Sequence, residues 1–294
     1  MRNGILFYLA IILHITAFTS AYDWSNNPWD GSADNPYQIS EPNHLMSIGS
    51  DPNLLDKHFI LTNDIVFDPN HNPSHVFDKA LIAPDTSASY NFQGTVFSGT
   101  FDGEGHCIWN LKIGSPGADF IGLFGKIDSG IVNNLALRNV NIKAHDRIGG
   151  LVGNNSGEIT NCNTTGKIRG WNRTGGICGT NTGTVVSCSY QGGTVSGDRV
   201  GGLIGWNFGT IKYSYALGTI RGRYYVGGLT GITMGLTEQC FADCIVAGES
   251  HVGGLSGAAG EVSITLLNCY ADGQVEGMDL TGGFVGVMHG AREN

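Results

Sequence analysis

Five planar polar side chains recur in the second half of the chain at a constant spacing. Each stands 26 residues after the one before, and the set comprises Arg147, Arg173, Arg199, Tyr225 and His251. If successive repeats stack, these guanidinium, phenol and imidazole groups form an exposed strip of hydrogen-bond donors and aromatic faces. Such a strip suits sugars or an anionic glycan, because guanidinium groups pair with anions and rings stack on apolar faces. We therefore take these side chains as candidate binding residues.

Two tryptophans near the strip, Trp171 and Trp206, are further candidate binding residues because their rings would add stacking surface. A plainer interpretation competes with this one. Stacked arginines repel one another, and Asp146 and Asp198 each stand directly before an arginine, where they would offset that repulsion. On that interpretation the strip is a solvated corner without a ligand.

Catalytic chemistry has few candidates in this chain. Hydrolysis of a polysaccharide needs two carboxylates roughly 5–10 Å apart in a cleft, whereas Glu249 and Glu276 lie beside glycines, as residues of a solvated turn do. The densest ionisable group, Asp102, Glu104 and His106, alternates with glycines, which favours a turn over a metal or acid–base site. We predict no catalytic residue, no metal site and no cofactor.

The seven cysteines lack the spacing of a zinc site, since no two form a C-x-x-C pair and no histidines cluster near them. Cys162, Cys188, Cys240 and Cys269 share one repeat position, which Ser214 occupies in the remaining repeat. We interpret this column as a buried ladder of small apolar side chains. A Cys162–Cys188 disulfide is the alternative, because neighbouring coils bring Cα atoms within disulfide range.

Charge and the N-terminus restrict partners and location. The formal net charge is −9, so no basic excess is present to neutralise nucleic-acid phosphates. Residues 1–21 combine a basic start, an apolar run and small residues at the end, which is typical of a secretory signal peptide; a retained membrane anchor is the alternative. We expect a secreted or cell-surface protein that does not insert into a membrane after removal of the signal.

The spacing of the strip belongs to a repeat that organises the whole second half. Gly-Gly pairs, each followed by an apolar residue, a variable residue and another glycine, open at Gly149, Gly175, Gly201, Gly227, Gly253 and Gly282. Between the pairs lie short stretches with apolar residues at alternate positions, the pattern of β-strands. One such unit cannot bury a core alone, whereas stacked units share a continuous one.

The sequence therefore predicts an all-β parallel β-solenoid, of the right-handed β-helix type, with six to seven coils over residues 119–294. Asn155, Asn181 and Asn207 share one position and are expected to form a hydrogen-bonded ladder. Residues 22–118 are predicted to be an N-terminal cap with leader strands and one short helix, Glu41 to Ile48, capped by Ser40. Because the sequence stops just after a repeat strand, we expect truncation at the C-terminus, with a bare last coil as the alternative.

The repeat resembles the GLUG-motif family, named for a Gly-Leu-any-Gly core. The best copy reads GGLIGWNFGTI from Gly201 and continues as SYALGTI from Ser214, and residues 268–273 (NCYADG) match the middle of the repeat. Residues 35–39, 57–61 and 101–106 resemble the leader that precedes such repeats in large secreted bacterial proteins. Thr233, which replaces the turn Asn, departs from the pattern. The resemblance implies a bacterial surface or extracellular protein whose repeats have no catalytic residue of their own.

Three functions follow as hypotheses. The leading one is a non-catalytic secreted or cell-surface repeat protein that presents its solenoid surface for adhesion or carbohydrate binding, with glycans or other surface proteins as partners. The second is a passive structural stalk within a larger surface protein. The third is a polysaccharide-degrading β-helix enzyme.

Overall fold

The computed structural model describes residues 22–68, 76–87, 90–260 and 265–288. The predicted signal peptide, residues 1–21, lies outside the described residues. In the part of the chain that the structure describes, no helix is both long enough and apolar enough to cross a membrane.

The described residues contain one α-helix, α1 (Pro42–Ile48), and short 3-10 helices at Trp24–Asn26 and Pro52–Leu54. The strands that precede the repeats are β1 (Tyr37–Ile39), β2 (His58–Leu61), β3 (Ile65–Val66), β4 (Thr100–Asp102), β5 (Cys107–Trp109) and β6 (Lys112–Gly114). The first coils contain β7 (Asp119–Ile121), β8 (Phe124–Asn133), β9 (Ala136–Lys143), β10 (Asp146–Ile148), β11 (Val152–Thr160), β12 (Asn163–Arg169), β13 (Thr174–Gly175), β14 (Cys178–Asn181), β15 (Thr184–Val186), β16 (Ser189–Gly197), β17 (Val200–Gly201), β18 (Ile204–Asn207) and β19 (Thr210–Lys212). The last coils contain β20 (Tyr215–Gly222), β21 (Tyr224–Gly227), β22 (Thr230–Thr233), β23 (Leu236–Glu238), β24 (Phe241–Ala247), β25 (Ser250–Gly253), β26 (Ser256–Ala259), β27 (Thr265–Leu267), β28 (Tyr270–Glu276), β29 (Asp279–Gly282) and β30 (Val285–Met288).

The strands form three parallel sheets in which neighbours come from successive coils. Sheet A has the order β1-β2-β4-β8-β11-β14-β18-β22-β26-β30, with β15, β19, β23 and β27 as a second row. Sheet B has the order β28-β24-β20-β16-β12-β9-β5-β3, with β6 against β9, and sheet C the order β29-β25-β21-β17-β13-β10-β7. The predicted all-β parallel solenoid is therefore confirmed. The six to seven coils predicted for residues 119–294 are also found, because seven strands of the main row of sheet A lie in this range: β8, β11, β14, β18, β22, β26 and β30. The whole solenoid has about nine turns, because β1, β2 and β4 extend sheet A into the leader.

The helix begins one residue later than predicted and is not capped by Ser40. Its N-cap is Glu41, which makes no side-chain capping hydrogen bond, and Pro42 fills the first helical position. Pro is favoured there because its missing N–H would have no partner in the helix. Leu45 and Ile48 are fully buried in the core that continues through the coils.

Sheet C packs directly against strands such as β14 and β18 of sheet A, because each of these strands has a glycine at the point of contact. A Cβ on Gly205 of β18 would lie 2.5 Å from both the carbonyl carbon of Arg173 and the amide nitrogen of Thr174 in β13. Gly179 meets the backbone of Arg147 in the same way one coil earlier. The last glycine of each Gly-Gly-apolar-x-Gly segment is thus required by the close approach of two backbones.

The predicted asparagine ladder is confirmed. Asn155 donates from Nδ2 to Oδ1 of Asn181 at 2.8 Å, and Asn181 donates in the same way to Asn207 at 2.8 Å. All three residues are completely buried. At Thr233 the ladder is continued rather than broken, because Asn207 Nδ2 donates to the Thr233 hydroxyl at 3.3 Å.

The cysteine column lies at the corner of each coil that leads into sheet B, where its side chains donate hydrogen bonds to backbone carbonyls. Cys162 donates its thiol to the carbonyl of Thr160 at 3.2 Å, and Ser214 donates its hydroxyl to the carbonyl of Lys212 at 2.7 Å. Cys162, Cys188 and Cys240 are buried, as predicted. Cys269 is only partly buried, which corrects the prediction at that position, because no later coil among the described residues covers it. Serine fits this column because a small side chain with one donor meets the same requirement. The backbone preceding the column is left-handed, with φ of 52–53° at Asn161, Ser187, Tyr213, Gln239 and Asn268.

Candidate functional site

Strand pairing in sheet C brings the five predicted strip residues into one row. The register joins Ile148 to Thr174 and Val226 to Val252, so the residues that precede these positions stack from coil to coil. The row begins at Phe120, because the residues on either side of it pair with those on either side of Arg147. Most strip residues have left-handed backbone, with φ of 37–56° at Arg147, Arg173, Tyr225 and His251.

Guanidinium groups and rings alternate along this row in a continuous stack. Arg147 lies 4.6 Å from the ring centre of Phe120 and 4.4 Å from that of Tyr90. Arg173 lies 5.6 Å from Tyr90 and 5.9 Å from Trp206. Each such contact stabilises by about 0.5–2 kcal/mol, more when water is excluded.

The stack continues into the later coils. Arg199 lies 5.7 Å from the ring of Trp206 and 5.6 Å from that of Tyr225, and the rings of Tyr225 and His251 are 4.4 Å apart. We call this stack the arginine–aromatic ladder; its members are Phe120, Arg147, Tyr90, Arg173, Trp206, Arg199, Tyr225 and His251.

The first part of the ladder is closed, which corrects the prediction of an exposed strip at Arg147 and Arg173. These two residues are only 7% and 8% exposed. Asp146, itself buried, accepts hydrogen bonds from Arg147 Nη1 at 3.1 Å, from Arg173 Nε at 2.8 Å and from Arg173 Nη2. Tyr90 covers both arginines from the outside, so neither presents its guanidinium group freely to solvent. We call Arg147, Arg173, Asp146 and Tyr90 the closed half.

The charges of the closed half stabilise one another. Burial disfavours the charged form of Arg173, but hydrogen bonding and attraction to Asp146 outweigh burial and raise the pKa of Arg173. Arg173 Nη2 also donates to the Tyr90 hydroxyl at 3.3 Å. This hydrogen bond, together with the positive charges of Arg173 and Arg147, lowers the pKa of Tyr90 below its ordinary value.

The second part of the ladder is open. Arg199, Trp206, Tyr225 and His251 are all half-buried, so their edges reach solvent. Arg199 donates from Nη1 to the amide oxygen of Asn172 at 2.8 Å, a neutral partner where Arg173 has a carboxylate. These four residues, which we call the open half, combine planar surfaces with N–H and O–H donors, the combination that sugar recognition uses.

One predicted residue lies apart from the ladder, and two unpredicted ones join it. Trp171 is 61% exposed, and within the described ranges its ring contacts no ladder member. Phe208 is 44% exposed and stacks on Trp206 at 5.0 Å and 26°; its position two residues after Trp206 is a signal of a shared face. Tyr90 comes from an irregular segment before β4, and no sequence signal places it here.

A polar column of sheet A runs beside the ladder and contains Trp206. Asn154, Thr180 and Trp206 are register neighbours in successive coils. Each buries a polar atom without a hydrogen-bond partner among the described residues: Asn154 Oδ1, Thr180 Oγ1 and Trp206 Nε1. An unpaired buried polar atom is unfavourable by about 1–3 kcal/mol, so this column lowers the stability of the coils in which it lies.

The group at Asp102, Glu104 and His106 forms a turn in the structure. Asp102 Oδ1 accepts hydrogen bonds from the Glu104 amide at 2.8 Å and from Asn134 Nδ2 at 3.1 Å. His106 Nδ1 lies 3.3 Å from an oxygen of Asp64. Across the described residues, no three His, Cys, Asp or Glu side chains are grouped closely enough to hold a metal ion.

A second aromatic row on sheet B has a different character. The rings of Tyr215 and Phe241 lie 4.8 Å apart at 5°, and those of Phe241 and Tyr270 lie 5.0 Å apart at 2°. Because these rings are nearly parallel, they cover one another's faces. This row is suited to holding coils together rather than to stacking on a sugar.

Comparisons with known proteins agree with this architecture. Residues 145–169 and 196–221 match the GLUG motif. Halomucin from Haloquadratum walsbyi is 31% identical over 160 residues, which are 53% of this chain but only 2% of halomucin. A crystal structure from Bacteroides ovatus, described as a "putative immunoglobulin A1 protease", is similar with a TM-score of 0.62 and 21% identity, over 89% of this chain and 85% of that one. At that identity the likeness concerns the fold alone. The matched segments and the strand register together show that this chain contains GLUG-motif repeats, each built as one coil of a parallel β-solenoid.

Proposed function

We propose that this chain is part of a non-catalytic secreted or cell-surface protein whose solenoid binds carbohydrate through the open half of the ladder. The GLUG-motif repeats support a surface role, as the family resemblance implies. Because the chain spans about 2% of halomucin, the proposal concerns these repeats and not the activity of a whole protein.

The observation that carries the proposal is the placing of Arg199 between two aromatic rings at a half-exposed position. Trp206 and Tyr225 flank its guanidinium group at 5.7 and 5.6 Å, and these two rings restrict the orientation of this planar group of N–H donors. Phe208, stacked on Trp206, adds an exposed ring next to these donors. Flat apolar surface beside fixed donors matches the two faces of a sugar, one apolar and one rich in hydroxyls.

A glycan array compares the wild-type protein with Trp206→Ala and Arg199→Ala. Both substitutions should abolish or strongly weaken the signal, because one removes stacking surface and the other removes the central donor. Tyr215→Ala is the matched control, since it removes an aromatic ring from the same coil on sheet B. Equal binding by all four proteins would contradict the proposal.

The passive stalk is the second candidate. It is favoured by the closed half, whose arginines are used within the chain, and by the three sheets that continue together through the coils from β7 to β30. A stalk should bind no glycan and should lose stability, not affinity, when ladder residues are changed. A reducing-sugar assay on a panel of polysaccharides separates both candidates from an enzyme, because only an enzyme would release new reducing ends.

A further inference from the structure

The outer face of sheet B carries a group of basic side chains in its early coils. The strands concerned are β6, β9 and β12, which are neighbours in the sheet. None of these three strands contains an aspartate or a glutamate. Their basic residues, which we call the basic face, are Lys112, Arg138, Lys143, Lys167 and Arg169.

The alternation of buried and exposed residues directs these side chains away from the core. Ile168 is fully buried, whereas Lys167 and Arg169 on either side of it are exposed, because successive residues of a strand point to opposite faces. Lys143 in β9 and Lys112 in β6 are exposed in the same way. The fifth member of the basic face is half-buried. These charged groups are therefore accessible to a ligand in solution.

Strand register places the exposed cations of the basic face in two adjacent rows. Lys143 pairs with Arg169 in one row, and Asn141 lies between Lys112 and Lys167 in the other. Neighbouring strands are about 4.8 Å apart, so positive charge recurs at short intervals along the solenoid axis. Like charges at this separation repel one another, and an anion that lies along the rows relieves the repulsion.

The chain does not neutralise the basic face with its own carboxylates. Within the described ranges no member of the basic face forms an ion pair, although the chain has 25 acidic residues. Exposed lysines elsewhere are paired: Lys57 lies 3.0 Å from Asp56, and Lys212 lies 2.9 Å from Glu238. The basic face thus differs from other charged parts of the surface.

The carboxylates at the borders of the basic face do not cancel its charge. Asp78 lies beside the end of β6 and is followed directly by Lys79, so these two charges offset each other. Asp64 and Asp119 are hydrogen-bonded to other residues at the borders. If both are counted against the five cations, a net charge of +3 remains.

The late coils of sheet B have the opposite charge but lie too far away to neutralise the basic face. Strands β24 and β28 carry Asp243, Asp272 and Glu276 and no basic residue. Two strands, β16 and β20, separate β12 from β24, a distance of about 14 Å. This exceeds the screening length of about 8 Å at physiological salt. The basic face is therefore locally positive in a chain whose net charge is −9.

We propose that the basic face binds an anionic polysaccharide along the solenoid axis. The lysine and arginine groups pair with carboxylate or sulfate groups of the polymer, and the exposed amide of Asn141 is available to its hydroxyls. Double-stranded DNA carries one charge per 1.7 Å, a far denser array than cations on coils about 4.8 Å apart. A polysaccharide with one acidic group per sugar or per pair of sugars matches this face better.

This site is separate from the open half of the ladder. The basic face lies on sheet B, whereas the open half belongs to sheets A and C. The inference therefore does not depend on the proposed function, and each can fail without the other.

The first measurement is calorimetry with three probes: oligogalacturonides, which carry carboxylates, heparin-derived oligosaccharides, which carry sulfates, and neutral cello-oligosaccharides. The wild-type protein should bind at least one acidic probe, with an affinity that falls as salt rises, and this site should not bind the neutral one. Lys167→Gln/Arg169→Gln should weaken acidic binding about tenfold, because two charge pairs are lost. Lys57→Gln/Lys212→Gln, which removes the same charge elsewhere, is the control and should bind like wild type.

Two results of this measurement overturn the proposal. One is that neither acidic probe binds, and the other is that both double variants weaken binding equally. Lys112→Gln/Lys143→Gln tests the face independently of β12 and should also weaken binding by about tenfold. Circular dichroism shows that each variant is folded. Loss of affinity in one of the two basic-face variants alone would contradict a single site across the three strands.

The last measurements address the other possible occupants of the basic face. A DNA oligonucleotide with as many charges as the acidic probe should bind more weakly, and equal or tighter binding would overturn the assignment to a polysaccharide. The acidic coils of a second copy of this chain are the other occupant. Sedimentation velocity should find a monomer, and a dimer that Lys167→Gln/Arg169→Gln dissociates would overturn the proposal.

Discussion

The closed and open halves of the ladder use the same position of the repeat in the same register, yet they present different surfaces. In the closed half, Asp146 is 3% exposed and joins Arg147 to Arg173. In the open half, the equivalent Asp198 is partly exposed and lies 4.0 Å from Arg223, outside the ladder. The repeat thus determines the positions of these side chains. The residues around them, which differ between repeats, determine how exposed each side chain is.

A segment outside the repeats makes the second difference. Tyr90 covers the first two arginines, and Phe92 of the same segment packs on Phe120 at 5.3 Å. No comparable cover lies over Arg199 among the described residues. In a repeat protein, a single irregular segment can therefore give otherwise equivalent coils different roles.

The largest effect is expected from Asp146→Ala. This substitution leaves two buried guanidinium groups without their carboxylate, and breaking a buried ion pair in this way is unfavourable by about 3–5 kcal/mol. Urea unfolding followed by circular dichroism measures the loss. Asp198→Ala, at the same position in the open half, should cost only about 0–1 kcal/mol because its partner is exposed. Similar losses for the two variants would mean that the halves do not differ as described.

Gly205→Ala tests how closely the backbones of sheets A and C approach each other at the closed half. The new methyl group would meet the backbone of Arg173 and Thr174 at 2.5 Å, so sheet C has to move away from sheet A at the closed half. We expect a loss of about 1–3 kcal/mol, typical of overpacking, measured by the same unfolding experiment. At Gly117 a Cβ would meet no atom within 4 Å, and Gly117→Ala should leave stability nearly unchanged. A neutral Gly205→Ala would show that the two sheets are less tightly apposed than in this structure.

The asparagine ladder runs through the same coils as the two halves, and its hydrogen bonds weaken toward the later coils. Asn181 donates to Asn207 and accepts from Asn155, so Asn181→Ala leaves buried groups unpaired on two sides and should destabilise by about 1–3 kcal/mol. Thr233 accepts one longer hydrogen bond from Asn207, and Thr233→Ala should cost about 1 kcal/mol. Thermal unfolding ranks the two variants, and the opposite order would contradict the ladder as drawn.

The repeat made the architecture predictable from the sequence. Stacking at a fixed spacing determines the register, and the register alone places Asn155 on Asn181 and Cys162 near Cys188. Exposure was harder to predict, because Asp146 could offset Arg147 equally well in solvent or in a buried cluster. Tyr90 lies 57 residues from Arg147 along the chain, in a segment without periodicity, so nothing in the sequence indicates their contact. The leader was divided from the repeats because it lacks Gly-Gly pairs, although its strands obey the same pairing.

The smallest predicted effect is a shift in the titration of Tyr90, which reports whether the closed half is closed in solution. Hydrogen bonding from Arg173 and the nearby positive charges hold the pKa of Tyr90 below its ordinary value. The folded pKa is thus lower than the unfolded one, near 10. The ionised form therefore adds stability above the unfolded pKa, and that contribution is lost as the pH falls through the folded pKa. The cover should tighten as the pH rises between the two values.

Nuclear magnetic resonance of ¹³C-labelled tyrosine measures this titration, with Tyr90 assigned by its absence in Tyr90→Phe. Arg173→Gln removes the donor and most of the attraction, so the pKa of Tyr90 should rise toward its ordinary value. Arg221→Gln, which removes an exposed arginine of sheet B, should leave the titration of Tyr90 as it is. If Tyr90 titrates at its ordinary pKa in the wild-type protein, its hydroxyl does not rest on Arg173, and the two halves of the ladder are equally open.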